Sequence, residues 1–276
     1  MLITGSTGLL GPYLVEAAAG WGQVYTTSRT GGGYPGDLTD PDAARAIIDA
    51  TSPEVIVHAA AMTNVDACET DPNAADRANC QATEILVRTM PVGAFLVFLS
   101  TDQVYPDSPG PHVEGQEAPA NVYGSSKLAG EKAALKHRQT LVVRTNLFGP
   151  SRTPGRTSLS DFVVNSLSAR RSITLFEDVI FSPLHATTLT TVIGAMLDRG
   201  LTGTFNAASR SGMSKAEFAC RIADRFGLQK ETATKGYSTL VPGRARRPLD
   251  LRMDPSRLEG QLGYTMPTLE EEIARL

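Results

Sequence analysis

The chain has 276 residues, 41% hydrophobic and 20% charged, the composition of an ordinary globular protein with one large domain or two unequal ones. Its net charge of −3 argues against a general nucleic-acid binder, and no apolar run is long enough for a membrane span. The cysteines and histidines show no metal-ligand spacing and no signal peptide is recognisable, so we expect free thiols, no metal site and a cytoplasmic protein.

The first eleven residues predict a strand, a glycine-rich turn and a helix. The strand covers residues 2–4, and the helix covers about residues 8–19. Glycines recur as G-x-x-G-x-x-G between them. This pattern is typical of a turn that binds a dinucleotide, because the helix N-terminus offers free N–H groups and a positive dipole end to the pyrophosphate. The predicted cofactor contacts in the turn are Gly5, Ser6, Thr7, Gly8, Leu9, Leu10 and Gly11.

Strand and helix patterns then alternate along the first half of the chain. Further strands are predicted at 23–28, 54–58, 94–99 and 140–144, and helices from 40, over 71–90 and over 121–137. This order predicts an α/β fold with a doubly wound parallel sheet of Rossmann type.

The regularity weakens after residue 146. Helices are predicted over 158–171, 185–199 and 215–226, and strands over 173–176 and 204–207. We therefore predict a dinucleotide-binding domain over residues 1–146 and a smaller, mainly substrate-binding C-terminal lobe over 147–276. Segments within about 178–208 are candidates to return to the sheet.

The end of the second predicted strand bears on the choice of cofactor. It reads Thr27-Ser28-Arg29, without the acid that often accepts the adenosine 2′-hydroxyl. An arginine there suits a 2′-phosphate, so Ser28 and Arg29 favour NADPH over NADH, with NADH the alternative. Arg29 could instead be a solvated loop charge. Asp37 and Leu38 are candidate contacts of the adenine edge, although Asp37 equally suits a structural turn.

Tyr123-Gly-Ser-Ser-Lys127 places a tyrosine and a lysine on one face of a helix. An adjacent ammonium favours the phenolate and is expected to lower the tyrosine pKa toward the range of a general acid. Thr101 follows the central apolar strand, where open α/β sheets bind ligands, and could orient a reacting carbonyl oxygen. The predicted catalytic residues are Thr101, Tyr123 and Lys127. The alternatives are a chance surface pair and a threonine that caps a loop.

These motifs occur together in the order and spacing of the extended short-chain dehydrogenase/reductase family, which the chain resembles. The shared stretches are Thr4-Gly-Ser-Thr-Gly-Leu-Leu-Gly11, His58-Ala-Ala-Ala61, Ser100-Thr-Asp102 and Tyr123-Gly-Ser-Ser-Lys127. Residues 36–40, 60–66, 121–132 and 244–248 are similar, more narrowly, to the dTDP-4-dehydrorhamnose reductases. The resemblance runs over residues 1–150, then continues in islands at 182–183 and 244–248.

The resemblance implies further site residues. Cofactor contacts would include Ala59, Ala60, Ala61, Thr63, Ser100, Tyr123 and Lys127. Substrate contacts would include Thr63, Asn64, Val65, Thr101, Asp102, Asn146, Arg244 and Arg247. Arg244-Ala-Arg-Arg247 is the densest basic cluster and is read as a clamp on a substrate diphosphate, with an exposed basic loop as the alternative.

The resemblance implies an NADPH-dependent reductase of a ketone on a nucleotide-activated sugar, a small-molecule substrate. Two departures favour another carbonyl or imine in a tailoring step: Asn146-Leu147 stands where that group tends to have an aromatic residue, and Leu249-Asp250-Leu251 follows Arg-Arg-Pro. A non-catalytic NADP-binding subunit, similar to the regulatory β subunit of methionine adenosyltransferase, stays open. The absent strand-two acid argues against a sugar epimerase. A homodimer also stays open.

Overall fold

A computed structural model describes residues 1–276. The strands are β1 Leu2–Thr4, β2 Tyr25–Thr27, β3 Val55–His58, β4 Phe95–Thr101, β5 Thr140–Thr145, β6 Leu147–Phe148, β7 Ile173–Phe176, β8 Ile180–Phe181, β9 Leu184–His185, β10 Gly203–Ala207, β11 Met213–Ser214, β12 Ala233–Gly236 and β13 Asp250–Leu251. The helices are α1 Gly11–Ala18, α2 Pro41–Thr51, α3 Val65–Thr70, α4 Pro72–Asp76, α5 Ala82–Thr89, α6 Val122–Ala134, α7 Leu159–Ser168, α8 Ala186–Asp198, α9 Lys215–Arg225, α10 Ser256–Leu262 and α11 Leu269–Ile273. None of these helices has the length and apolar character that a membrane span requires.

The central sheet has six parallel strands in the order β10-β5-β4-β3-β1-β2. Successive side chains alternate between its faces. Ile3 and Val57 pack on one face beneath α1 and α8. Leu2 and Ile56 pack on the other face beneath α2, α5 and α6. Helices therefore cover both faces, and the predicted doubly wound fold is confirmed.

The C-terminal lobe has its own apolar cluster. Phe148, Phe181 and Phe218 meet there in edge-to-face contacts with ring centroids about 5 Å apart. Three small sheets surround this cluster: β11-β8-β13, β12-β7 and β6-β9. The chain also returns to the central sheet, because β10 pairs with β5. The division at residue 146 remains a prediction.

One predicted helix range is wrong at its start, and the long one contains an irregular turn. The first helix begins at Gly11, since residues 5–10 form the turn and Pro12 occupies the first turn of the helix. The long helix predicted over 71–90 is confirmed: α4, a π-helical turn at Arg77–Gln81 and α5 follow one another without a break from Pro72 to Thr89. Asp71 accepts a hydrogen bond from the Ala74 N–H and starts a new helix at Pro72. Of the shorter elements, α3, α10 and α11 were not predicted.

Candidate active site

The glycine-rich turn after β1 fits tightly against the rest of the fold. Gly5 has φ +68°, and a Cβ there would lie 2.7 Å from the Ala60 nitrogen. A Cβ on Gly11 would lie 2.2 Å from the Ser6 carbonyl oxygen. Gly11 therefore packs on the turn itself, against Ser6. The backbone of the turn requires glycine at these two positions. The turn leaves N–H groups at the start of α1 free to bind an anion.

The other predicted residues of the turn differ in whether their side chains are available to a ligand. Ser6 Oγ donates a hydrogen bond of 3.3 Å to the Thr27 carbonyl oxygen at the end of β2. Leu10 is buried in the core beneath the sheet, so only its backbone is available to a ligand. Thr7 and Leu9 are partly exposed. Ala59 and Ala60 lie against Gly5, which places the Ala59–Ala61 stretch beside the turn.

The loop after β2 contains the predicted adenosine contacts. Ser28 Oγ donates to the Gly31 carbonyl oxygen at 2.8 Å, which closes this loop beside Thr7. Arg29 is exposed and makes no ion pair. Asp37 Oδ1 accepts from the Thr39 N–H and hydroxyl, both at 2.9 Å, and is therefore a structural turn residue. The Leu38 side chain is buried in the core, so it offers a cofactor only its backbone.

The three predicted catalytic residues lie together at the carboxyl end of β4 and the start of α6. The Asn121 side chain caps α6 by accepting from the Gly124 N–H at 2.8 Å. A Cβ on Gly124 would lie 2.1 Å from the Gln103 carbonyl oxygen, so this glycine allows α6 to approach the end of β4. The Tyr123 side chain lies beside that of Thr101, both of them buried, and Lys127 lies buried one turn further along α6.

The electrostatics of this cluster differ from the prediction. Burial, the largest cause, raises the pKa of Tyr123; the neighbouring Thr101 hydroxyl lowers it and the nearby Asp102 raises it. Burial lowers the pKa of Lys127 to about 7, against the opposing effect of Glu131. Lys127 Nζ donates to the Leu99 carbonyl oxygen at 2.7 Å and lies 4.1 Å from the Phe98 ring centroid. The prediction that Lys127 lowers the pKa of Tyr123 is therefore wrong for this structure.

A buried ionic network lies behind Lys127. Arg144 donates to Glu131 through Nε at 3.0 Å and Nη2 at 2.6 Å, and it also contacts Glu117. Ser100, a predicted cofactor contact, hydrogen-bonds Glu131 through its hydroxyl. Arg144, near the end of β5, is therefore held by acidic partners. Glu131 was not predicted, although it follows Lys127 by one helical turn.

The π-helical turn supports the same helix from another side. Asn79 is buried in it, accepts from the Met62 N–H at 2.8 Å and donates to the Met62 carbonyl at 3.0 Å. Its amide also donates to Ser126 Oγ at 2.9 Å. Ser126 lies between Tyr123 and Lys127, so this network fixes α6 at its catalytic end. Single π-helical turns are frequent at functional sites.

Asp102 is a buried carboxylate beside Thr101, the threonine predicted to be catalytic. Thr101 Oγ1 donates to Asp102 Oδ1 at 3.1 Å, and Asn146 Nδ2 donates to Asp102 Oδ2 at 2.6 Å. Burial raises the pKa of Asp102, while Asn146, Thr101 and the charge of Lys215 lower it. Lys215, the first residue of α9, was not predicted as a site residue. No spacing in the sequence marks it, because only the fold brings α9 to the end of β4.

The predicted substrate contacts after β3 have three different environments. Thr63 is exposed. The Asn64 side chain accepts from the Ala67 N–H at 3.0 Å and caps α3, so its amide oxygen has a structural partner. Val65 packs against the small apolar cluster that contains Tyr123. This segment therefore forms one wall beside the candidate proton donor.

The basic loop joins the two parts of the molecule. Arg247 donates to both Asp66 oxygens, at 3.0 and 2.8 Å, and Arg246 pairs with Asp107 at 2.9 Å. The Arg244 guanidinium lies 4.6 Å from the Phe176 ring centroid and makes no ion pair. Arg244, Arg246 and Arg247 therefore have different environments, although they lie within four consecutive positions of the sequence.

A loop from the C-terminal half covers the glycine-rich turn. Thr153 Oγ1 donates to the Gly8 carbonyl oxygen at 3.2 Å, and Tyr13 Oη donates to the Pro150 carbonyl oxygen at 2.7 Å. Arg152 lies over the Tyr13 ring at 3.9 Å. We call residues 150–153 the strap. The sequence did not predict it.

A glycine-rich βα turn on a parallel sheet, with threonine, tyrosine and lysine at the adjoining strand end, defines an oxidoreductase of the short-chain dehydrogenase/reductase type that uses a nicotinamide dinucleotide. The RmlD substrate binding domain family matches residues 1–276. The chain belongs to this family.

Two relatives support the assignment to this class of oxidoreductase. The chain is 29% identical to the probable low-salt glycan biosynthesis reductase Agl14 of Haloferax volcanii, over 99% of this chain and 96% of that protein. It superposes on dTDP-4-dehydrorhamnose reductase from Bacillus anthracis, solved in complex with NADP, with a TM-score of 0.91 and 26% identity over 99% of this chain and 96% of the other. The predicted enzyme class, family resemblance and cofactor class are confirmed.

One further relative has a different kind of name. The chain is 32% identical to methionine adenosyltransferase 2 subunit beta of Pongo abelii, over 94% of this chain and 81% of that protein. Family membership therefore does not by itself separate a reductase from a subunit of another enzyme.

Proposed function

We propose that the protein reduces a ketone on a nucleotide-activated sugar with NADPH. The observation that carries the proposal is the buried contact of Thr101 and Tyr123 at the end of β4, with Lys127 on the next turn of α6. The glycine-rich turn lies two strands away in the sheet order, at the end of β1. A dinucleotide bound on that turn would extend along the strand ends toward these residues.

The residues divide the chemistry as follows. When bound, NADPH supplies a hydride from carbon 4 of its nicotinamide. Tyr123 donates a proton to the oxygen that becomes the alcohol; its raised pKa keeps the phenol protonated at neutral pH. Thr101 orients that oxygen. Lys127 would bond the nicotinamide ribose and so help to orient the cofactor.

Arg29 and the loop after β2 support the preference for NADPH. The exposed guanidinium has no acidic partner in the protein, and the loop that carries it is closed beside Thr7 of the glycine-rich turn. A 2′-phosphate at this end of the cofactor would meet that charge. The three free cysteines agree with the proposed cytoplasmic location.

The test is a panel of acceptors with NADPH: a dTDP-4-keto-6-deoxyhexose, its UDP counterpart, and simple ketones and imines without a nucleotide. We expect turnover of a nucleotide-linked ketone only. Turnover confined to an acceptor without a nucleotide would replace the substrate class by the tailoring reaction. Asn146 favours the tailoring reaction, because it lies where the resemblance implies an aromatic residue. Its amide donates a hydrogen bond to Asp102 instead.

A second candidate function rests on the relative of Pongo abelii. The protein would then bind NADP and a methionine adenosyltransferase, without turning over a carbonyl. Size-exclusion chromatography of the purified chain with a methionine adenosyltransferase from the same cell tests this. Co-elution together with an inert acceptor panel would favour the subunit, whereas separate elution with turnover would exclude it.

A further inference from the structure

The Asp102 carboxyl group is almost fully buried and makes no ion pair. All of its hydrogen-bond partners are uncharged: the Thr101 hydroxyl at 3.1 Å, the Asn146 amide at 2.6 Å and the Gln103 side-chain amide at 3.5 Å. A buried carboxyl group without a counter-charge favours its protonated form, because the ionised form loses its hydration. Asp102 can then donate a hydrogen bond as well as accept one.

Two titratable groups face Asp102 from the helices packed against it. Burial, the largest cause, raises the pKa of Asp102, whereas the charge of Lys215 at the start of α9 lowers it. Tyr123 of α6 is uncharged at neutral pH, because burial raises its pKa as well. The end of β4 and the residue between β5 and β6 contribute the uncharged Thr101 and Asn146. Burial therefore outweighs the nearby cation and favours the protonated form of Asp102.

Asn146 determines which oxygen of Asp102 can carry the proton. Its Nδ2 donates to Oδ2, and an oxygen that accepts this N–H cannot direct a proton at the same donor. The proton of Asp102 therefore belongs on Oδ1, which lies 3.1 Å from Thr101 Oγ1. The departure from the family pattern at Asn146 thus has a consequence beside Thr101.

The hydrogen bonds of Thr101 then follow from a simple count. A hydroxyl group has one proton to donate and two lone pairs that accept. The Gln103 backbone N–H donates to Thr101 Oγ1 at 3.2 Å, and the O–H of protonated Asp102 occupies the second lone pair. The Thr101 proton is then free for the oxygen of a ligand. Ionised Asp102 would instead accept the Thr101 proton and withdraw it from the site.

We propose that Asn146 and protonated Asp102 are positioning residues, which direct the Thr101 hydroxyl proton at the carbonyl oxygen of the substrate. This inference rests on the proposed function, in which Thr101 orients that oxygen for Tyr123. A carbonyl oxygen only accepts hydrogen bonds, so Thr101 must donate to it. The proton transferred to the substrate still comes from Tyr123, and Asp102 keeps its own proton throughout.

Three substitutions test the assignment with NADPH and a nucleotide-linked ketone. Asp102→Asn should keep kcat within about 3-fold, because its amide can accept from Asn146 and donate to Thr101 as the protonated carboxyl group does. Asp102→Leu and Asn146→Leu should each lower kcat by about 10-fold or more, the loss of one aligned hydrogen bond to the reacting oxygen. The KM for the ketone should change by less than about 3-fold.

Asn165→Leu is the matched control, because Asn165 is an exposed residue of α7. It should leave kcat and KM unchanged. The affinity for NADPH should be the same in all four variants, which confirms that they are folded.

The pH profile separates positioning from a merely structural role. The kcat of the wild type should fall as the pH rises through the pKa of Asp102, because the ionised carboxylate takes the Thr101 proton away from the substrate. Asp102→Asn cannot ionise and should lack this fall.

An infrared difference spectrum of the NADP-loaded wild type and Asp102→Asn detects the proton without turnover. We expect the carbonyl band of a protonated carboxyl group in the wild type at neutral pH, absent from Asp102→Asn and shifted in Asn146→Leu. No such band, an equal loss of kcat in Asp102→Asn and Asp102→Leu, or an unchanged kcat in Asn146→Leu would overturn the assignment. Failure of the proposed function looks different: a wild type that shows the band and binds NADPH, yet reduces no carbonyl, would remove both the reductase and this role of Asp102.

Discussion

Lys127 lies buried one turn after Tyr123, with Nζ 2.7 Å from the Leu99 carbonyl oxygen. Burial lowers its pKa from 10.5 to about 7. Between these values the unfolded chain holds a proton at this side chain that the folded protein has released. The free energy of unfolding must then rise as the pH rises through this range.

This linkage gives a measurable slope. Between about pH 7 and pH 9, Lys127 should add roughly 2 kcal/mol to the free energy of unfolding without cofactor, measured with urea. Lys127→Met should reduce the slope of the wild type without abolishing it, because Lys215, with its pKa lowered to about 8, contributes in the same direction. Lys132→Met, an exposed lysine on the same helix, is the control. Equal slopes in the wild type and Lys127→Met would contradict the burial argument.

Arg29 carries the prediction about the cofactor. Arg29→Ala should raise the dissociation constant of NADPH by about 10-fold or more, because one charge-assisted contact to the 2′-phosphate is lost. The dissociation constant of NADH should change by less than about 2-fold. Arg45→Ala removes an exposed arginine of α2 and should affect neither cofactor. An equal loss for both cofactors would show that Arg29 does not read the 2′-phosphate.

At the scale of elements, α6 depends on a close contact with the π-helical turn. A Cβ on Gly130 would lie 2.2 Å from the Asn79 carbonyl oxygen and 2.9 Å from Phe98. The end of α6 can therefore approach the turn only with glycine at this position. The contact also holds Tyr123 and Lys127, since both belong to the same helix.

Two glycines test this contact. Gly130→Ala should lower the free energy of unfolding by about 1–3 kcal/mol, because the added methyl group overpacks the interface. Gly260→Ala in α10 meets nothing within 4 Å and should raise it by up to about 1 kcal/mol through helix propensity. Urea midpoints of the two variants give the comparison. A stabilised Gly130→Ala would mean that α6 has room at the turn.

The sequence predicted those elements whose conformation is determined by residues close together in the chain. The turn after β1 could be read because Gly5 needs a positive φ and Gly11 a close approach within the same eleven residues. The π-helical turn inside the helix over 71–90 could not be predicted. Asp71-Pro72 is a local start signal, but the π-helical turn depends on the bonds of Asn79 to Met62 and Ser126, which only the folded chain brings together.

At the scale of the whole molecule, distance along the chain limits prediction. Five of the small strands outside the central sheet have only two residues each, and they pair through contacts that leave no periodic pattern. Arg247 reaches Asp66 across 181 positions of sequence. The proposed catalytic residues could be predicted because they follow regular elements, whereas only the fold brings Lys215 and the strap near them.

The fold makes the site from both halves of the chain. The strap covers the glycine-rich turn through Thr153 and Gly8, and the basic loop is tied by Arg247 to Asp66. A cofactor and a substrate bound in this space would contact residues from the first and last parts of the sequence. We propose that this site, which only the folded molecule assembles, reduces a carbonyl with Tyr123 as the proton donor.

The most direct measurement is the rate at which NADPH absorbance is lost with a dTDP-4-keto-6-deoxyhexose, for the wild type and Tyr123→Phe. We predict that the wild type oxidises NADPH and that the variant loses at least about 100-fold in kcat, the contribution of a positioned general acid. Its dissociation constant for NADPH should stay within about 2-fold of the wild type. Undiminished turnover in Tyr123→Phe would contradict the account.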